Sequence, residues 1–266
     1  MSMSELIPLA DARRELIRGR LREGRPVKAA ELAAEFAVSE DTVRRDLRDL
    51  ARAGECRRVY GGALPLSPAG GNLTERRREA PGRKRLIAEA VIPLIPPGST
   101  VFIDAGSTNV QVASLAWRFQ PRTVITNAPS IAAVLSENGV DEIVVIGGRL
   151  DPATGSCLGS RTLREVEGLA PDVVILGGCG IAADAGVTVF SSEEAEIKRT
   201  VAATSRAVIV TSTREKLGTA APFAIMAASR VSALVVEADA EPREVERFSR
   251  LGVAVTRAAP ATFEDQ

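Results

Sequence analysis

Histidine is absent from this sequence of 266 residues, and aromatic residues make up only 3% of it. Without an imidazole, the chain has no Ser-His-Asp or Cys-His catalytic system, no histidine general base and no histidine ligand for a metal ion. Because aromatic side chains are so few, the core must be built from aliphatic residues. These absences exclude the commonest hydrolytic and zinc-dependent sites.

Cysteine is nearly as scarce, and the sequence contains no C-x-x-C spacing. Cys56, Cys157 and Cys179 lie far apart, so we expect neither a zinc cluster nor a disulfide framework, and we predict no cofactor and no metal site. The longest apolar or glycine stretch, residues 173–183, has eleven residues and is too short to span a bilayer. Residues 1–9 lack the basic and apolar regions of a secretory signal. We therefore expect a cytoplasmic protein that does not contact a membrane.

The net charge of zero is the sum of a basic part and an acidic part. Residues 1–85 contain 19 lysines and arginines against 13 acidic residues, a net charge of +6, whereas residues 86–266 contain 15 against 21, a net charge of −6. At roughly 150 residues per domain, the length allows two domains. A basic first domain joined to an acidic second one suggests that the first meets a polyanion.

Three short helical patterns precede Gly54. Apolar residues at helical spacing predict helices over residues 11–22 and roughly over residues 28–36. Ser39 is a good N-cap for a third helix, because acidic residues follow it where the helix dipole favours negative charge. Two short helices separated by about three residues, the second beginning at a capped serine, are typical of a helix-turn-helix, whose second helix enters the major groove of DNA.

The polar side of the third helix carries the residues that we expect to meet DNA. They are Ser39 at its start, then Thr42, Arg44, Arg45 and Arg48. Arginine either forks onto guanine or clamps phosphates, and a solvated helix face is the ordinary alternative. Residues 55–63 end in a glycine pair, which predicts a small hairpin, or wing. Its residues Arg57, Arg58 and Tyr60 are placed to follow a phosphate backbone.

Residues 38–47, followed by Gly54 and then by residues 57–63, resemble the N-terminal winged helix-turn-helix of the DeoR family of bacterial transcription regulators. That family has Val-Ser-x-x-Thr-(Ile/Val)-Arg-Arg-Asp-Leu, then Gly, then Arg-Val-x-Gly-Gly-Ala. The resemblance implies that Ser39, Thr42, Arg44 and Arg45 belong to a recognition helix. We expect Asp46 to orient a neighbouring arginine, since a carboxylate facing DNA phosphates would repel them.

Residues 64–82 contain three prolines and three glycines without sustained periodicity, and they predict a linker. The expected organisation is a DNA-binding domain over residues 1–63, a linker over residues 64–82 and a larger domain over residues 83–266. The arginines at positions 76–78 either touch DNA or are simply solvated.

The larger domain alternates helical patterns with short aliphatic runs rich in β-branched residues. Strands are predicted over residues 100–104, 123–126, 142–146, 172–176, 207–210, 233–236 and 253–256. Helices are predicted over residues 83–92, 108–118, 129–137, 161–168, 193–202 and 242–250. Strands without polar alternation are buried on both faces, so we predict an α/β domain with a mostly parallel sheet.

Ligands of such sheets bind beyond the carboxyl ends of the strands. The residues that follow the first five predicted strands are suited to a small anion, most simply a phosphate ester, because they combine glycines, hydroxyls, helix N–H groups and one lysine. They are Asp104, Gly106, Ser107, Thr108, Thr126, Asn127, Gly147, Gly148, Gly178 and Lys216. Each feature alone also serves ordinary turns and caps, but five together favour an anion site.

This region is similar to the C-terminal sensor domain of the DeoR family in the motifs 104–108, 126–127, 147–148, 186–188 and 216–218. The resemblance implies a fold like that of the phosphopentose isomerases, a phosphorylated sugar or related effector, and a homo-oligomer, dimer or tetramer, that binds double-stranded operator DNA. It further implies a repressor of a sugar or carbon catabolism operon. One departure is Thr211, which stands where family members often have an aspartate.

A sugar-phosphate isomerase is the alternative function. Such an enzyme needs a carboxylate base at the reacting carbons. Where the related isomerases carry acids, this chain has Gly178, Cys179 and Gly180, although Asp104 remains an unassigned carboxylate. We therefore predict a regulator that is not an enzyme.

Overall fold

The computed structural model describes residues 10–23, 25, 27–59, 61–65 and 72–261. Within these ranges, no helix combines the length and the apolar character needed to cross a bilayer.

The first part of the chain is a module of three helices and a small sheet. Its elements are α1 (Ala10–Arg22), β1 (Val27–Lys28), α2 (Ala29–Glu35), α3 (Glu40–Arg52), β2 (Cys56–Val59) and β3 (Gly62–Pro65). The three predicted helices and the predicted hairpin are confirmed. Strand β3 lies between β1 and β2 and is antiparallel to both. The core is aliphatic apart from one ring, and its largest buried members are Ile17, Leu32, Phe36, Leu47 and Leu50.

Gly62 shows why the wing needs its glycine pair. A Cβ atom at this position would lie 2.0 Å from the carbonyl oxygen of Val27, because β1 passes directly against β3. Only glycine permits that approach. Strand β1 has two residues, which is too short for an alternation pattern to predict.

A buried ion pair joins α1 to α3. Arg13 Nε lies 2.6 Å from Asp46 Oδ2, and the two side chains are only 6% and 7% exposed. Asp46 therefore has the structural role expected of it, but its partner comes from α1 rather than from α3. Since the pair is withdrawn from water, it fixes how α3 sits on the rest of the module.

The larger part of the chain contains twelve of the described strands. In chain order they are β4 (Thr100–Ile103), β5 (Thr123–Thr126), β6 (Ile143–Val145), β7 (Arg149–Asp151), β8 (Ser156–Leu158), β9 (Val173–Gly177), β10 (Gly180–Ala182), β11 (Gly186–Val189), β12 (Ala207–Ser212), β13 (Phe223–Met226), β14 (Ala233–Val236) and β15 (Ala254–Arg257). Seven of them form one sheet in the order β15-β14-β12-β9-β4-β5-β6, and every neighbouring pair is parallel. These are the seven strands that the sequence predicts, with ends shifted by no more than two residues.

Helices cover both faces of this sheet. They are α4 (Leu73–Arg78), α5 (Pro81–Val91), α6 (Ser107–Ala113), α7 (Pro129–Glu137), α8 (Ser160–Glu167), α9 (Ser192–Thr204) and α10 (Pro242–Arg250). Strand β4 shows the alternation, because Val101 and Ile103 join the core beneath α5, α6 and α7, whereas Phe102 joins the core beneath α8, α9 and α10. The predicted α/β domain is confirmed, and β4, β9, β12 and β14 are buried, whereas the edge strand β6 exposes Val144 and Val145.

The short antiparallel strands are not predicted by the sequence. Strands β7 and β8 form a hairpin, and β10, β11 and β13 form a separate three-stranded sheet. Each has only three or four residues, so a period of two is hard to recognise in them.

The structure differs from the sequence expectation over residues 72–82. These residues are not an irregular linker, because α4 occupies Leu73–Arg78 and α5 begins at Pro81. Helix α4 starts at a reciprocal cap, in which Asn72 Oδ1 accepts from the Glu75 N–H at 3.1 Å and Glu75 Oε2 accepts from the Asn72 N–H at 2.9 Å. A helix of six residues is too short to produce a periodic signal. The division into domains 1–63, 64–82 and 83–266 stays a prediction.

Replacement of Asp46 by Ala should destabilise the N-terminal module by about 3–5 kcal/mol, because it leaves the Arg13 guanidinium buried without its carboxylate. Chemical denaturation followed by circular dichroism measures the loss. Asp49→Ala on the same helix is the matched control, since Asp49 is 40% exposed and should cost less than about 1 kcal/mol. Equal losses in the two variants would contradict the structural role of the pair.

Gly148 and Gly147 should respond differently to alanine. At Gly148, where φ is +153°, a Cβ atom would lie 2.0 Å from Thr162 Oγ1 and 2.7 Å from the carbonyl oxygen of Leu158. At Gly147, a Cβ atom would have no atom within 4 Å. Gly148→Ala should therefore cost about 1–3 kcal/mol of unfolding free energy, and Gly147→Ala less than about 0.5 kcal/mol. Urea unfolding of both variants measures the difference, and similar midpoints would show that Gly148 is not closely packed.

Candidate DNA-binding surface and effector pocket

Helix α3 begins at a cap that uses two of the predicted DNA-binding residues. Ser39 Oγ accepts a hydrogen bond from the Thr42 N–H at 3.1 Å and lies 2.8 Å from Thr42 Oγ1. Both hydroxyls therefore have a local partner, and the start of α3 is fixed in place.

Three arginines project from the exposed side of α3. Arg44 donates to Glu40 at 2.6 Å, Arg45 lies 3.8 Å from Asp41, and Arg48 is exposed further along the helix. Solvent-exposed pairs of this kind contribute little free energy. The guanidinium groups can therefore exchange a surface carboxylate for a DNA phosphate or base at small cost.

Arg58 is exposed on β2 of the wing, which follows α3 in the sequence and precedes the turn at Gly61. Tyr60 and the side chain of Arg57 lie outside the described residues, so their predicted roles stay predictions. The structure thus brings Arg44, Arg45, Arg48 and Arg58 together in one small module.

A cleft opens at the carboxyl edge of the parallel sheet, beyond β4, β9 and β12. It consists of an inner and an outer pocket that share the lining residues Arg76, Ser107, Thr108, Thr213 and Lys216. The inner pocket adds Gly106, Gly177, Gly178, Cys179, Glu194, Lys198 and Thr211. The outer pocket adds Glu79, Arg83, Lys84 and Glu215. We call this cleft the effector pocket.

The floor of the effector pocket is a buried cluster of charged groups. Lys198 Nζ lies 2.9 Å from Asp104 Oδ2 and 2.8 Å from Glu194 Oε1, and it donates to the carbonyl oxygen of Gly177 at 2.9 Å. Asp104 Oδ2 also accepts from the Gly177 N–H at 3.0 Å, while its Oδ1 is buried and has no hydrogen-bond partner among the described residues. The side chains of all three charged residues are less than a tenth exposed.

Two carboxylates around one ammonium leave this floor with excess negative charge. Burial alone would lower the pKa of Lys198, but Asp104 and Glu194 outweigh it and raise that pKa above its ordinary value. Burial raises the pKa of Asp104, and Glu194 adds to this rise against the opposing effect of Lys198. The cluster therefore keeps its lysine charged.

The rim of the effector pocket is cationic. Burial lowers the pKa of Lys216; Cys179 opposes this effect, while the nearby cations Arg76, Lys198 and Lys84 add to it. Glu215 offsets part of this charge, because hydrogen bonds from Arg83, from its own backbone and from Thr213 overcome burial and lower its pKa to about 2. A bound anion would relieve the repulsion among the rim cations.

Thr211 is the residue at which the sequence departs from the family pattern that it resembles. Its hydroxyl donates to Asn109 Oδ1 at 3.1 Å, and Asn109 Nδ2 in turn donates to the carbonyl oxygen of Asp104 at 2.8 Å. Thr211 therefore helps to fix the backbone at the end of β4.

The structure divides the ten predicted effector residues into two groups. Gly106, Ser107, Thr108, Gly178 and Lys216 line the pocket, and Asp104 lies in its floor cluster. The other four follow β5 and β6, which lie farther along the sheet at about 4.8 Å per strand. They are Thr126, Asn127, Gly147 and Gly148.

Those four residues make internal contacts. Thr126 Oγ1 donates to the carbonyl oxygen of Ile103 at 2.7 Å, and Asn127 Nδ2 donates to that of Cys157 at 3.1 Å. The carbonyl oxygen of Gly147 accepts from Thr162 Oγ1 at 2.7 Å, and Gly148 packs against the same side chain. These contacts position the loops after β5 and β6.

Among the pocket residues that the sequence did not indicate are three charged ones, Arg76, Glu194 and Lys198. Glu194 and Lys198 are four residues apart on α9 and are buried, so the available signal was an acid and a base on the apolar face of a helix. Arg76 belongs to the triple arginine, where no pattern distinguished it from its exposed neighbours Arg77 and Arg78.

Two family models match this chain. The model of the DeoR-like helix-turn-helix domain matches residues 13–68, and the model of the DeoR C terminal sensor domain matches residues 79–238. The second match alone covers more than half of the chain.

Relatives of known function match over most of their length. The glycerol-3-phosphate regulon repressor of Escherichia coli (strain K12) is 33% identical over 80% of this chain and 84% of its own. The HTH-type transcriptional repressor CsqR of the same strain is 31% identical over 78% of this chain and 80% of its own. Among solved structures, ribose 5 phosphate isomerase A from Neisseria gonorrhoeae is 20% identical over 50% of this chain and 52% of its own, with a TM-score of 0.35. The two domain matches and the repressor relatives together show that this chain belongs to the DeoR family of transcription regulators.

Proposed function

We propose that this protein represses a sugar or carbon catabolism operon and that a phosphorylated polyhydroxy compound bound in the effector pocket controls its hold on operator DNA. The observation that carries the proposal is the polarity of the pocket. Cations surround its rim, whereas two carboxylates share one lysine at its floor.

The rim suits the phosphate end of such a ligand. The side chain of Lys216 lines the pocket together with the hydroxyl side chains of Ser107, Thr108 and Thr213. Charge-assisted hydrogen bonds to phosphate oxygens are the strongest that such a site can make. The name of one relative, a glycerol-3-phosphate regulon repressor, supports a phosphate ester as the effector class.

The floor suits the hydroxyl end. Asp104 Oδ1 is buried without a partner in the described part of the chain, and an unsatisfied buried acceptor costs free energy until a donor reaches it. A sugar or polyol hydroxyl supplies such a donor. The effector would therefore lie with its phosphate at the rim and its hydroxyl groups toward Asp104.

The same floor argues for sensing without turnover. An isomerase needs a carboxylate free to take a proton from carbon. Here, Lys198 Nζ lies within 3 Å of one oxygen of Asp104 and one oxygen of Glu194, so both carboxylates take part in an ion pair at the floor. We therefore favour a regulator over the isomerase alternative.

For the DNA-binding step, Arg44, Arg45 and Arg48 of α3 enter the major groove, and Arg58 of the wing follows the backbone. A homo-oligomer presents several such modules to repeated half-sites, which raises their effective concentration and makes binding sensitive to their spacing. Effector binding changes that spacing through the segment that joins the module to the sensor domain.

Replacing Arg45 by Ala should weaken operator binding by about 1–3 kcal/mol if Arg45 reads a base, and should reduce discrimination between sequences. Fluorescence anisotropy on operator and random duplexes measures both effects. Arg250→Ala is the control for net charge, because Arg250 is 71% exposed on α10 of the sensor domain. An equal loss on every duplex would make Arg45 a phosphate contact instead.

Replacing Lys216 by Ala should weaken binding of phosphorylated sugars about ten- to a hundredfold, because it removes a charge-assisted contact to the phosphate. A thermal-shift panel of sugar phosphates detects binding as a rise in melting temperature. Lys28→Ala makes the same change of charge in the N-terminal module and should keep the wild-type response. An unchanged response of Lys216→Ala would remove Lys216 from the effector site.

A further inference from the structure

We propose that Arg76 of α4 binds the anionic group of the effector and that this contact fixes α4, the first described element after the segment from the DNA-binding module. The proposal rests on the proposed function, because it assigns a further ligand to the same pocket. It gives one member of the triple arginine a role that its two neighbours lack.

Arg76 is the member of the triple arginine that reaches the effector pocket. It lines both the inner and the outer pocket, together with Lys216. Its Nη2 donates to the carbonyl oxygen of Ala153 at 2.8 Å, but its Nε is buried and has no partner among the described residues. Nη2 of the guanidinium is therefore bound to the backbone, whereas Nε is a buried donor that a ligand could use.

An anion is the ligand that satisfies this arrangement. Arg76 lines the pocket with Lys84 and Lys216, and burial lowers the pKa of both lysines, an effect to which the charge of Arg76 adds. The planar fork of arginine matches phosphate oxygens. A phosphate between Arg76 and Lys216 would accept a hydrogen bond from Arg76 Nε. It would also offset the repulsion between the two cationic side chains.

Helix α4 is attached to the sensor domain through Leu73 and through Lys84. Leu73 packs on the turn between β7 and β8, where a Cβ atom on Gly155 would lie 2.2 Å from Leu73 Cδ2. Lys84 Nζ donates to the carbonyl oxygens of Arg76 and Glu79, so it caps the end of the helix. The contact from Arg76 to the effector adds to these and to the hydrogen bond from Arg76 to Ala153, on the side that faces the pocket.

The position of α4 along the chain links this attachment to the DNA-binding module. Strand β3 of the wing ends at Pro65, and Asn72 caps α4 only seven residues later. Whatever fixes α4 therefore fixes the point from which the chain runs back to the wing. Effector binding at Arg76 limits the positions that the DNA-binding module can reach.

Phosphate titration of the full-length protein tests the assignment, with chloride at the same ionic strength as the reference. The variants are Arg76→Ala, Arg76→Lys and, as the matched control from the same helix, Arg77→Ala, since Arg77 is exposed. Melting temperature reports binding, and hydrogen exchange of peptides that cover residues 72–80 reports the state of α4.

We expect inorganic phosphate to raise the melting temperature of the wild type and of Arg77→Ala, and to slow exchange over residues 72–80 in both. Arg76→Ala should need about ten- to a hundredfold more phosphate and show no slowing of exchange. Arg76→Lys keeps the charge without the fork, so its affinity should lie between the two. Comparison of Arg76→Lys with Arg76→Ala distinguishes the loss of the ligand contact from a general loss of stability.

Different results would contradict the Arg76 contact and the proposed function. If phosphate stabilises the wild type and Arg76→Ala equally, Arg76 is not a ligand, and the proposed function stands. If phosphate binds the wild type without slowing exchange in α4, the attachment of α4 is wrong. If phosphate stabilises no variant, and a panel of sugar phosphates also has no effect on the wild type, the proposed function fails and this inference fails with it.

Discussion

The ammonium of Lys198, held between Asp104 and Glu194, is the interaction on which the sensor domain depends. It ties α9 to the ends of β4 and β9, because the same nitrogen also donates to the carbonyl oxygen of Gly177. A buried charge is tolerated only when it is paired and hydrogen-bonded. The cluster therefore determines where three elements meet, and the effector pocket forms above that point.

From this constraint follows the division of charge in the pocket. The floor already holds one carboxylate more than its lysine neutralises, so it disfavours a bound anion. The rim has an excess of positive charge instead, because Arg76, Lys84 and Lys216 lie close enough for their charges to interact. A ligand with a phosphate at one end and hydroxyls at the other would match both the rim and the floor of the effector pocket.

Much of the fold could be predicted because its strands are buried on both faces. Runs such as residues 173–176 are continuously aliphatic, which is typical of a strand buried on both faces. The helix-turn-helix was equally accessible, since Ser39 and the acidic residues after it mark the start of α3. The hairpin of β7 and β8 and the short helix α4 were missed, because three to six residues carry no measurable period.

The candidate site was predicted only where residues directly follow a strand. Ser107, Thr108 and Lys216 meet because the carboxyl ends of neighbouring parallel strands lie together. Lys198 and Arg76 come from helices that approach the edge from elsewhere, and their positions depend on tertiary packing. Conversely, Thr126 follows a strand but uses its hydroxyl to bond the carbonyl oxygen of Ile103.

The most direct measurement of the central claim is the affinity of the purified protein for two duplexes of equal length at moderate ionic strength. One duplex carries the region upstream of the chain's own gene, and the other has a random sequence. Each titration is run with and without a mixture of sugar phosphates. We expect tighter binding to the upstream duplex and a change in that preference when the sugar phosphates are present. Equal affinity for both duplexes under both conditions would contradict this expectation.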